Sequence, residues 1–577
     1  MDYSRLDLVR RSATPIELDL VESFANGRIT RRQFIKRASV IGLSLPAVSA
    51  VIAACSPGTP SASAPGSVAP GASGSAAPSA AVTGGTIRCA IQRPVSVDPV
   101  AMQDLGGYGI VAQSFEFLCA QKTDPSDPGG LSEGLATSWE PNEDGTVWTF
   151  KLRPEAKWQH DGSAFTSADV VATMERLVAA GNSGLKGVLD PGGAVATDAN
   201  TVTFTLVSAN GNFPYLVSIY NAQTVITPAD YVAGTTADAR PTGTGPWKLT
   251  NYNQQTGATF ERNTDWWGGQ TPLDSTEFIF FDETGPMITA YQGDQVDAIV
   301  QFDVLTGAAL FNDPNFTLIA TPAALHRQIW MRVDKPPFDN VKVREALALT
   351  WDRDVLIQQL FQGRAELGND HVIWQGYPYY DSSIPQRTRD VDKAKALLTE
   401  AGAADLSIVL HAGELQEIPD LAVLLKSQAA EAGITLNVEV ESLSTFYGAA
   451  WCPGDPADPS KPTDPPCVNA AELGIVDYGH RATPDVYLNA ALKTKGIWNS
   501  SQYASSEFDA AFGEFQAAVA VDAQKAACTK IETILNREIP VGLPYFYNYL
   551  AGNSNKFTGV FSSALGQMSF ATTSKVA

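Results

Sequence analysis

Alternation of apolar and polar residues predicts half-buried strands at several points along the chain. Residues 147–152 and 201–206 alternate with the two-residue period of a strand. A further short strand is predicted at 84–91, where the folded part of the chain begins. Residues 167–177 instead repeat apolar positions at helical spacing, with Ser167 as the predicted N-cap. Strands and helices interleave in this way along the chain, which predicts an α/β fold with mixed sheets.

The second half of the chain continues this alternation. Helical spacing predicts helices at 340–349, 391–401 and 421–432, and the last two are each followed by a glycine. Strands are predicted at 434–440 and at 473–478.

Length and charge narrow the class of protein. A chain of 577 residues is too long for one core and predicts two or three packed lobes. The 62 acidic residues outnumber the 40 basic ones, and the formal charge of −22 disfavours binding to a nucleic-acid backbone. No run of 18 uninterrupted apolar residues occurs, so no permanent transmembrane helix is expected.

The N-terminal 54 residues have the order of an export signal. A basic segment containing Arg31-Arg32 and Lys36 precedes an apolar run at 38–48, and small residues then lead to Cys55. The paired arginines resemble a twin-arginine signal, and the residues before Cys55 resemble a bacterial lipobox, which predicts lipidation of Cys55. The alternative is an amphipathic helix with a chance arginine pair and a chance cysteine.

Residues 55–83 are predicted to form a flexible tether. After Cys55 the segment contains only Ala, Gly, Pro, Ser, Thr and Val, and it cannot bury enough apolar surface to fold. As a coil it would span about 30 Å. A lipid anchor and this tether would hold a globular body at the outer face of the cytoplasmic membrane, in the periplasm or at the cell surface.

Six segments, in order along the chain, resemble the peptide-type (family 5) extracellular solute-binding proteins of bacterial ABC importers. They are Gly84-Gly85-Thr86-Ile87-Arg88, the segment 131–140, the segment 150–170, Gly243-Thr244-Gly245-Pro246-Trp247, Arg344-Glu345-Ala346-Leu347, and Glu538-Ile539-Pro540 with Pro544-Tyr545. The resemblance implies a two-lobed periplasmic-binding-protein type II fold with an extra inserted domain and a hinged cleft. It assigns 84–114, 240–325 and 535–577 to the main domain of lobe 1, 115–239 to the inserted domain, and 326–534 to lobe 2.

The function implied by this resemblance is extracytoplasmic capture of a small ligand, foremost a peptide, for delivery to the permease subunits of an ABC importer. The protein is expected to act as a monomer, without a cofactor and without a nucleic-acid partner. An oligosaccharide, a nickel chelate or another amine is the alternative cargo. Neither G-x-S-x-G nor H-E-x-x-H occurs, so no enzyme is expected, although two carboxylates would suffice for an extracytoplasmic hydrolase.

The strand at 473–478 carries the predicted ligand anchor. In the resembled family such a strand ends in an aspartate that holds the peptide amine, followed by a tyrosine, which places Asp477 and Tyr478 in the site. The backbone from Gly474 to Val476 would then pair with the ligand. Arg481 would meet a ligand carboxylate or cap the local loop. The alternative for Asp477 is an ordinary surface or helix-capping aspartate.

Aromatic residues in loops and near the first strand are further candidates for the cleft wall. These candidates are Tyr108, Trp374, Trp451, Trp498 and Tyr547.

The cysteines predict one disulfide. Cys452 and Cys467 bracket a proline-rich loop that an exported protein can close with a disulfide. An acidic calcium loop is the alternative, but its prolines do not resemble a calcium-hand pattern. Pairing of Cys89 with Cys119 is left open, and Cys528 is predicted to be a free buried thiol. The five histidines are dispersed, and no metal site is predicted.

Overall fold

The computed structural model describes residues 82–123, 129–182, 184–236, 238, 242–456 and 463–577. The predicted signal at 1–54, the predicted lipidation site Cys55 and the tether up to residue 81 lie outside the described residues.

The strands follow one another throughout the described residues. In chain order they are β1 Thr86–Gln92, β2 Cys119–Gln121, β3 Leu131–Glu133, β4 Ala136–Pro141, β5 Val147–Leu152, β6 Ala194–Asp198, β7 Thr201–Thr205, β8 Trp247–Asn253, β9 Gly257–Arg262, β10 Ser275–Phe281, β11 Ala298–Ile299, β12 Phe316–Met331, β13 Ala365–Leu367, β14 Ser407–Gly413, β15 Thr435–Glu441, β16 Leu473–Tyr478, β17 Val541–Gly542, β18 Tyr545–Ser554, β19 Phe557–Thr558, β20 Phe561–Ser562, β21 Met568–Ser569 and β22 Ser574–Lys575.

The helices alternate with these strands. In chain order they are α1 Leu105–Ser114, α2 Ser167–Ala179, α3 Phe213–Leu216, α4 Thr284–Gln292, α5 Val341–Thr350, α6 Arg353–Phe361, α7 Val391–Glu400, α8 Ile418–Ala430, α9 Leu443–Thr445, α10 Asp485–Tyr487, α11 Ser506–Ala517 and α12 Val521–Glu538. Two segments, Phe446–Trp451 and Leu488–Leu492, wind as π-helix.

One large mixed sheet organises the fold. Its strands run in the order β15-β14-β16-β12-β18-β11-β1-β10-β9-β8. The pairs β14–β15, β14–β16 and β1–β10 are parallel, whereas β12 pairs antiparallel with both β16 and β18. The long strands β12 and β18 therefore link the part of the sheet built around β1 to the part built around β16.

A separate antiparallel sheet, β4-β5-β7-β6, forms the small-sheet domain together with α2. Its core contains the buried rings of Trp148, Phe150, Phe204 and Phe213, and Phe150 meets Phe204 edge-on with ring centroids 5.2 Å apart. Alternate residues of β5 and β7 point into this core, which is the reason for their two-residue hydrophobic period.

Most predicted elements are confirmed, with shifts at their ends. The strands at 147–152 and 473–478 have the predicted bounds. The helix predicted from Ser167 has Thr166 as its N-cap instead, because Thr166 forms a reciprocal capping box with Asp169. Gly402 and Gly433 adopt positive φ just beyond α7 and α8, as expected of helix-ending glycines.

The cysteine predictions are resolved in the described residues. Cys452 and Cys467 form the predicted disulfide. Cys89 and Cys119 are both buried and free, so the pairing left open above does not form, and Cys528 is the predicted free buried thiol. In the part of the chain that the structure describes, no helix combines the length and the apolarity needed to cross a bilayer.

Candidate functional site

Asp477, the predicted amine anchor, lies at the C-terminal end of β16, opposite Arg327 on β12. Its half-buried carboxylate accepts a hydrogen bond from the Tyr447 hydroxyl. Burial and the charge of Asp477 raise the pKa of Tyr447, so the phenol keeps its proton and donates it. Among the described residues, no basic side chain forms an ion pair with Asp477. The carboxylate therefore keeps acceptor capacity for a cationic group of a ligand.

The neighbouring Arg327 does not neutralise Asp477, because its guanidinium is engaged elsewhere. Its Nε and Nη2 atoms donate to the Glu417 carboxylate at 2.8 and 2.9 Å, and Nη1 donates to the Tyr547 hydroxyl at 2.7 Å. Burial lowers the pKa of Arg327, but the charge of Glu417 together with those of Tyr547, Tyr545 and Asp477 outweighs burial and raises the pKa well above the usual value. Tyr547, a predicted ligand residue, is thus a partner of the buried Arg327–Glu417 pair and lies half-buried beside Asp477.

The backbone of β16 offers an unpaired edge only near its end. Gly474 and Ile475 pair with β14 on one side and with β12 on the other, whereas Val476, Asp477 and Tyr478 pair only with β12. The backbone of Gly474, which was predicted to pair with the ligand, therefore already has a strand on each side. Packing explains the glycine at position 474, because a Cβ there would overlap the ring of Trp330. The free edge for an extended ligand runs over 476–478.

Three of the predicted residues meet in one cavity of about 300 Å³: Tyr108 of α1, Arg481 and Trp498. The small-sheet domain and the segment that follows it supply the facing wall through Tyr215 and Tyr220. Burial raises the pKa of Tyr108, and the positive charge of Arg481 opposes this rise, so the two side chains lie within electrostatic range. The cavity combines aromatic walls with two cations, Arg481 and Lys186, and binding sites for small organic ligands likewise combine apolar walls with a few polar groups.

Arg481 is one of the two cations that line this cavity, and the other is Lys186. Its Nη1 donates to the backbone carbonyl of His480 at 2.9 Å, which is the local capping role considered from the sequence. Within the described residues it forms no ion pair with any carboxylate. A guanidinium has five N–H donors, so this capping bond leaves donors for a ligand carboxylate.

Trp451 lies on the Asp477 side of the site. Its ring meets Tyr447 edge-on, with centroids 5.5 Å apart, and Tyr447 in turn donates to Asp477. The disulfide of Cys452 with Cys467 fixes the backbone directly after Trp451 to the segment that precedes β16. The disulfide therefore positions Trp451 and Tyr447 relative to the carboxylate.

Two predicted ligand residues belong to the protein core. Trp374 is 0% exposed, and its indole N–H donates to Glu366 Oε2 at 2.6 Å, so it does not line the cavity. Tyr478 is 6% exposed and packs against Tyr487 and Trp498. Gly and Pro around Trp374 suggested an exposed loop, but Trp374 packs in a buried cluster of aromatic residues.

The sequence alone missed the residues contributed from distant segments. Tyr447 donates to Asp477, Arg327 lies opposite Asp477 and pairs with Glu417, and Asp485 lines the cavity with Arg481. Pro484-Asp485 marks a helix start in the sequence. An acidic residue at such a start is usually exposed, whereas Asp485 is buried. Nothing in the local sequence marks the others.

One set of side chains in the described residues has the donor types of a metal site. His411 Nδ1 lies 3.4 Å from Glu441 Oε2 and 3.9 Å from Glu439 Oε2, on the neighbouring strands β14 and β15. A protonated histidine between two glutamates gives the same arrangement, so the group carries no assignment. His371 and His480, two histidines that a nickel chelate could use, are each 1% exposed.

Comparison with known proteins agrees with this architecture. Residues 130–456, more than half of the chain, match the family model of bacterial extracellular solute-binding proteins, family 5 Middle. Heme-binding protein A of Haemophilus influenzae is 25% identical over 468 residues, which covers 74% of this chain and 81% of that protein. The dipeptide-binding protein of Escherichia coli K12 is 28% identical over 297 residues, 47% of this chain and 54% of that protein.

A solved structure extends the likeness to the fold. The ABC transporter-associated periplasmic binding protein DppA from Helicobacter pylori, in complex with the peptide STSA, superposes with a TM-score of 0.65 at 19% identity. The superposition covers 86% of this chain and 99% of that one. The predicted two-lobed periplasmic-binding-protein type II fold is confirmed, and the chain belongs to the bacterial extracellular solute-binding proteins of family 5.

Proposed function

We propose that the protein captures short peptides outside the cytoplasm and passes them to an ABC importer, without chemical turnover. The observation that carries the proposal is the Asp477 carboxylate, which has a phenol as its hydrogen-bond partner and no basic partner in the described residues. A peptide α-ammonium group supplies the missing cation. The dipeptide-binding and peptide-bound relatives support this choice of cargo.

Asp477 and Arg481 together favour a ligand with two opposite charges. They are four positions apart in the chain, so their Cα atoms lie at most about 14 Å apart. A peptide with free ends carries its ammonium and carboxylate at comparable separations when it has about two to four residues. Its backbone can pair with the free β16 edge at 476–478 while its side chains meet Tyr108 and Trp498.

The test is calorimetric titration with a tripeptide library before and after Asp477→Asn. Wild-type protein should bind, and the variant should lose about tenfold or more in affinity because the ammonium group is left without an ionised partner. N-acetylated peptides should bind both proteins weakly and equally. Unchanged affinity of the variant for free-amine peptides would refute the role of Asp477.

Other cargoes are distinguished by native mass spectrometry of protein purified from its source. A retained mass matching a short peptide supports the proposal. A retained tetrapyrrole, sugar or metal chelate would replace it, and the heme-binding relative makes hemin the first comparison to titrate.

Membrane attachment through Cys55 completes the proposal. A lipidated Cys55 and the tether up to residue 83 would keep the monomeric binding protein near the permease. Cys55→Ala should move the protein from the membrane fraction to the soluble fraction. A variant that still sediments with membranes would contradict the anchor.

A further inference from the structure

Asp485 carries a buried carboxylate oxygen without a partner at the wall of the cavity. It is the first residue of α10, is 9% exposed and lines the cavity together with Arg481. Its Oδ2 accepts a hydrogen bond from Asn212 Nδ2 at 2.8 Å, whereas Oδ1 has no hydrogen-bond partner among the described residues. An unpaired buried acceptor is costly, so a ligand that brings a cation next to this carboxylate gains affinity.

Asn212 fixes the orientation of this carboxylate. It lies in the segment that follows β7 of the small-sheet domain, and its Oδ1 accepts from Gln524 Nε2 of α12 at 2.9 Å. The adjacent Gly211 N–H donates to the Gln516 carbonyl at 3.2 Å. Both polar atoms of the Asn212 side chain thus have partners, and Asp485 Oδ1 is the carboxylate oxygen left without one in the described residues.

The charges around the cavity are separated rather than paired. Within the described residues, neither Arg481 nor the exposed Lys186 forms an ion pair with Asp485. Burial raises the pKa of Asp485 to about 6, so the group is ionised at pH 8. An ionised, buried carboxylate with no basic partner is best matched by a cation from the ligand.

We propose that Asp485 binds the positively charged side chain of a peptide, an ammonium or guanidinium group, and so makes the protein selective for basic peptides. This inference rests on the peptide function proposed above. Asp477 would hold the peptide amine, Arg481 the carboxylate and Asp485 the side-chain cation. Tyr108 and Trp498 provide the apolar surface along which the stem of such a side chain can lie.

The experiment compares alanyl-lysyl-alanine with alanyl-norleucyl-alanine by calorimetry at pH 8. The two peptides share backbone and side-chain stem, and only the lysine carries the ammonium. Wild-type protein should bind the lysine peptide at least tenfold more tightly. Asp485→Asn should bring the two affinities within about twofold of each other, since its amide oxygen can still accept from Asn212 but its charge is gone.

A matched control separates a local effect from a change in net charge. Asp522→Asn removes the same charge in the first turn of α12, at an exposed position outside the cavity lining, and should leave the tenfold preference intact. Should Asp485→Asn fail to fold, Asp485→Ser serves as the second variant, with thermal melting as the check on folding.

The outcomes distinguish this inference from the proposed function. Equal affinity of wild-type protein for both peptides, or an equal loss for both in Asp485→Asn, would overturn the role of Asp485 and leave peptide binding standing. Failure of wild-type protein to bind either peptide would overturn both. Loss of preference in the Asp522→Asn control would show that the preference reflects net charge, which also overturns the inference.

Discussion

Removal of Glu417 should be among the most destabilising single substitutions near the site. Arg327 is 1% exposed, and two of its hydrogen bonds go to the Glu417 carboxylate, which also accepts the Tyr545 hydroxyl at 3.1 Å. Glu417→Ala leaves a buried guanidinium without its counter-ion. Breaking a buried pair from one side costs about 3–5 kcal/mol. We expect a loss in this range in the free energy of unfolding.

The assay is equilibrium denaturation followed by tryptophan fluorescence. The control is Glu507→Gln, which removes the partner of Arg537 in a pair whose side chains are 52% and 59% exposed. Exposed ion pairs contribute about 1 kcal/mol or less, so the free energy of unfolding of the control variant should fall by no more than this amount.

A double substitution tests the cause of the loss. Arg327→Met combined with Glu417→Leu removes both charges and should recover most of the stability, because apolar side chains of similar volume replace buried ion pairs at little cost. A loss below about 1 kcal/mol in Glu417→Ala, or a double variant less stable than Glu417→Ala, would refute the reasoning.

Two further predictions concern stability. Burial raises the pKa of Glu532 to about 8 and lowers that of His371 to about 4, although their Oε2 and Nε2 atoms lie 3.9 Å apart. A raised carboxyl pKa contributes stability that is complete below its usual value and is lost as pH rises through 8. The free energy of unfolding of Glu532→Gln, relative to that of wild-type protein, should therefore rise between pH 5 and pH 9 by at most about 4 kcal/mol. A difference in denaturation midpoints that stays constant over this pH range would contradict this prediction. Replacing Cys452 and Cys467 by serine opens a loop with a sequence separation of 15 and should cost about 3 kcal/mol. Unchanged melting of the double-serine protein would show that the disulfide does not contribute.

The sequence predicted the local elements well where periodicity and packing agree. β5 has the predicted bounds because its alternation matches a sheet that buries one face, and β16 has them as a short, almost fully buried run. The N-cap of α2 is one residue earlier than predicted, because Thr166 forms the capping box with Asp169 and Ser167 does not. Motif order along the chain was sufficient for the fold, and the disulfide followed from the loop that its cysteines bracket.

Burial in the folded protein distinguishes the aromatic candidates that line the cavity from those that belong to the core. Trp374 and Tyr108 both stood in glycine-containing segments, yet one is fully buried and the other lines the cavity. Sequence patterns do not separate these cases, because exposure depends on which distant segment covers a side chain.

By itself, the sequence determined the alternation of strands and helices, the family resemblance, the disulfide, and the position of Asp477 at the end of a strand. Only the tertiary structure decided how the charges are distributed. Arg327 is neutralised by Glu417 from another element, whereas Asp477 and Arg481 have no ion-pair partner in the described residues, and Asp485 is oriented by Asn212 from 273 residues away. Whether a charge is satisfied depends on groups within a few ångströms in space, and the folded chain brings those groups from segments that no local pattern relates.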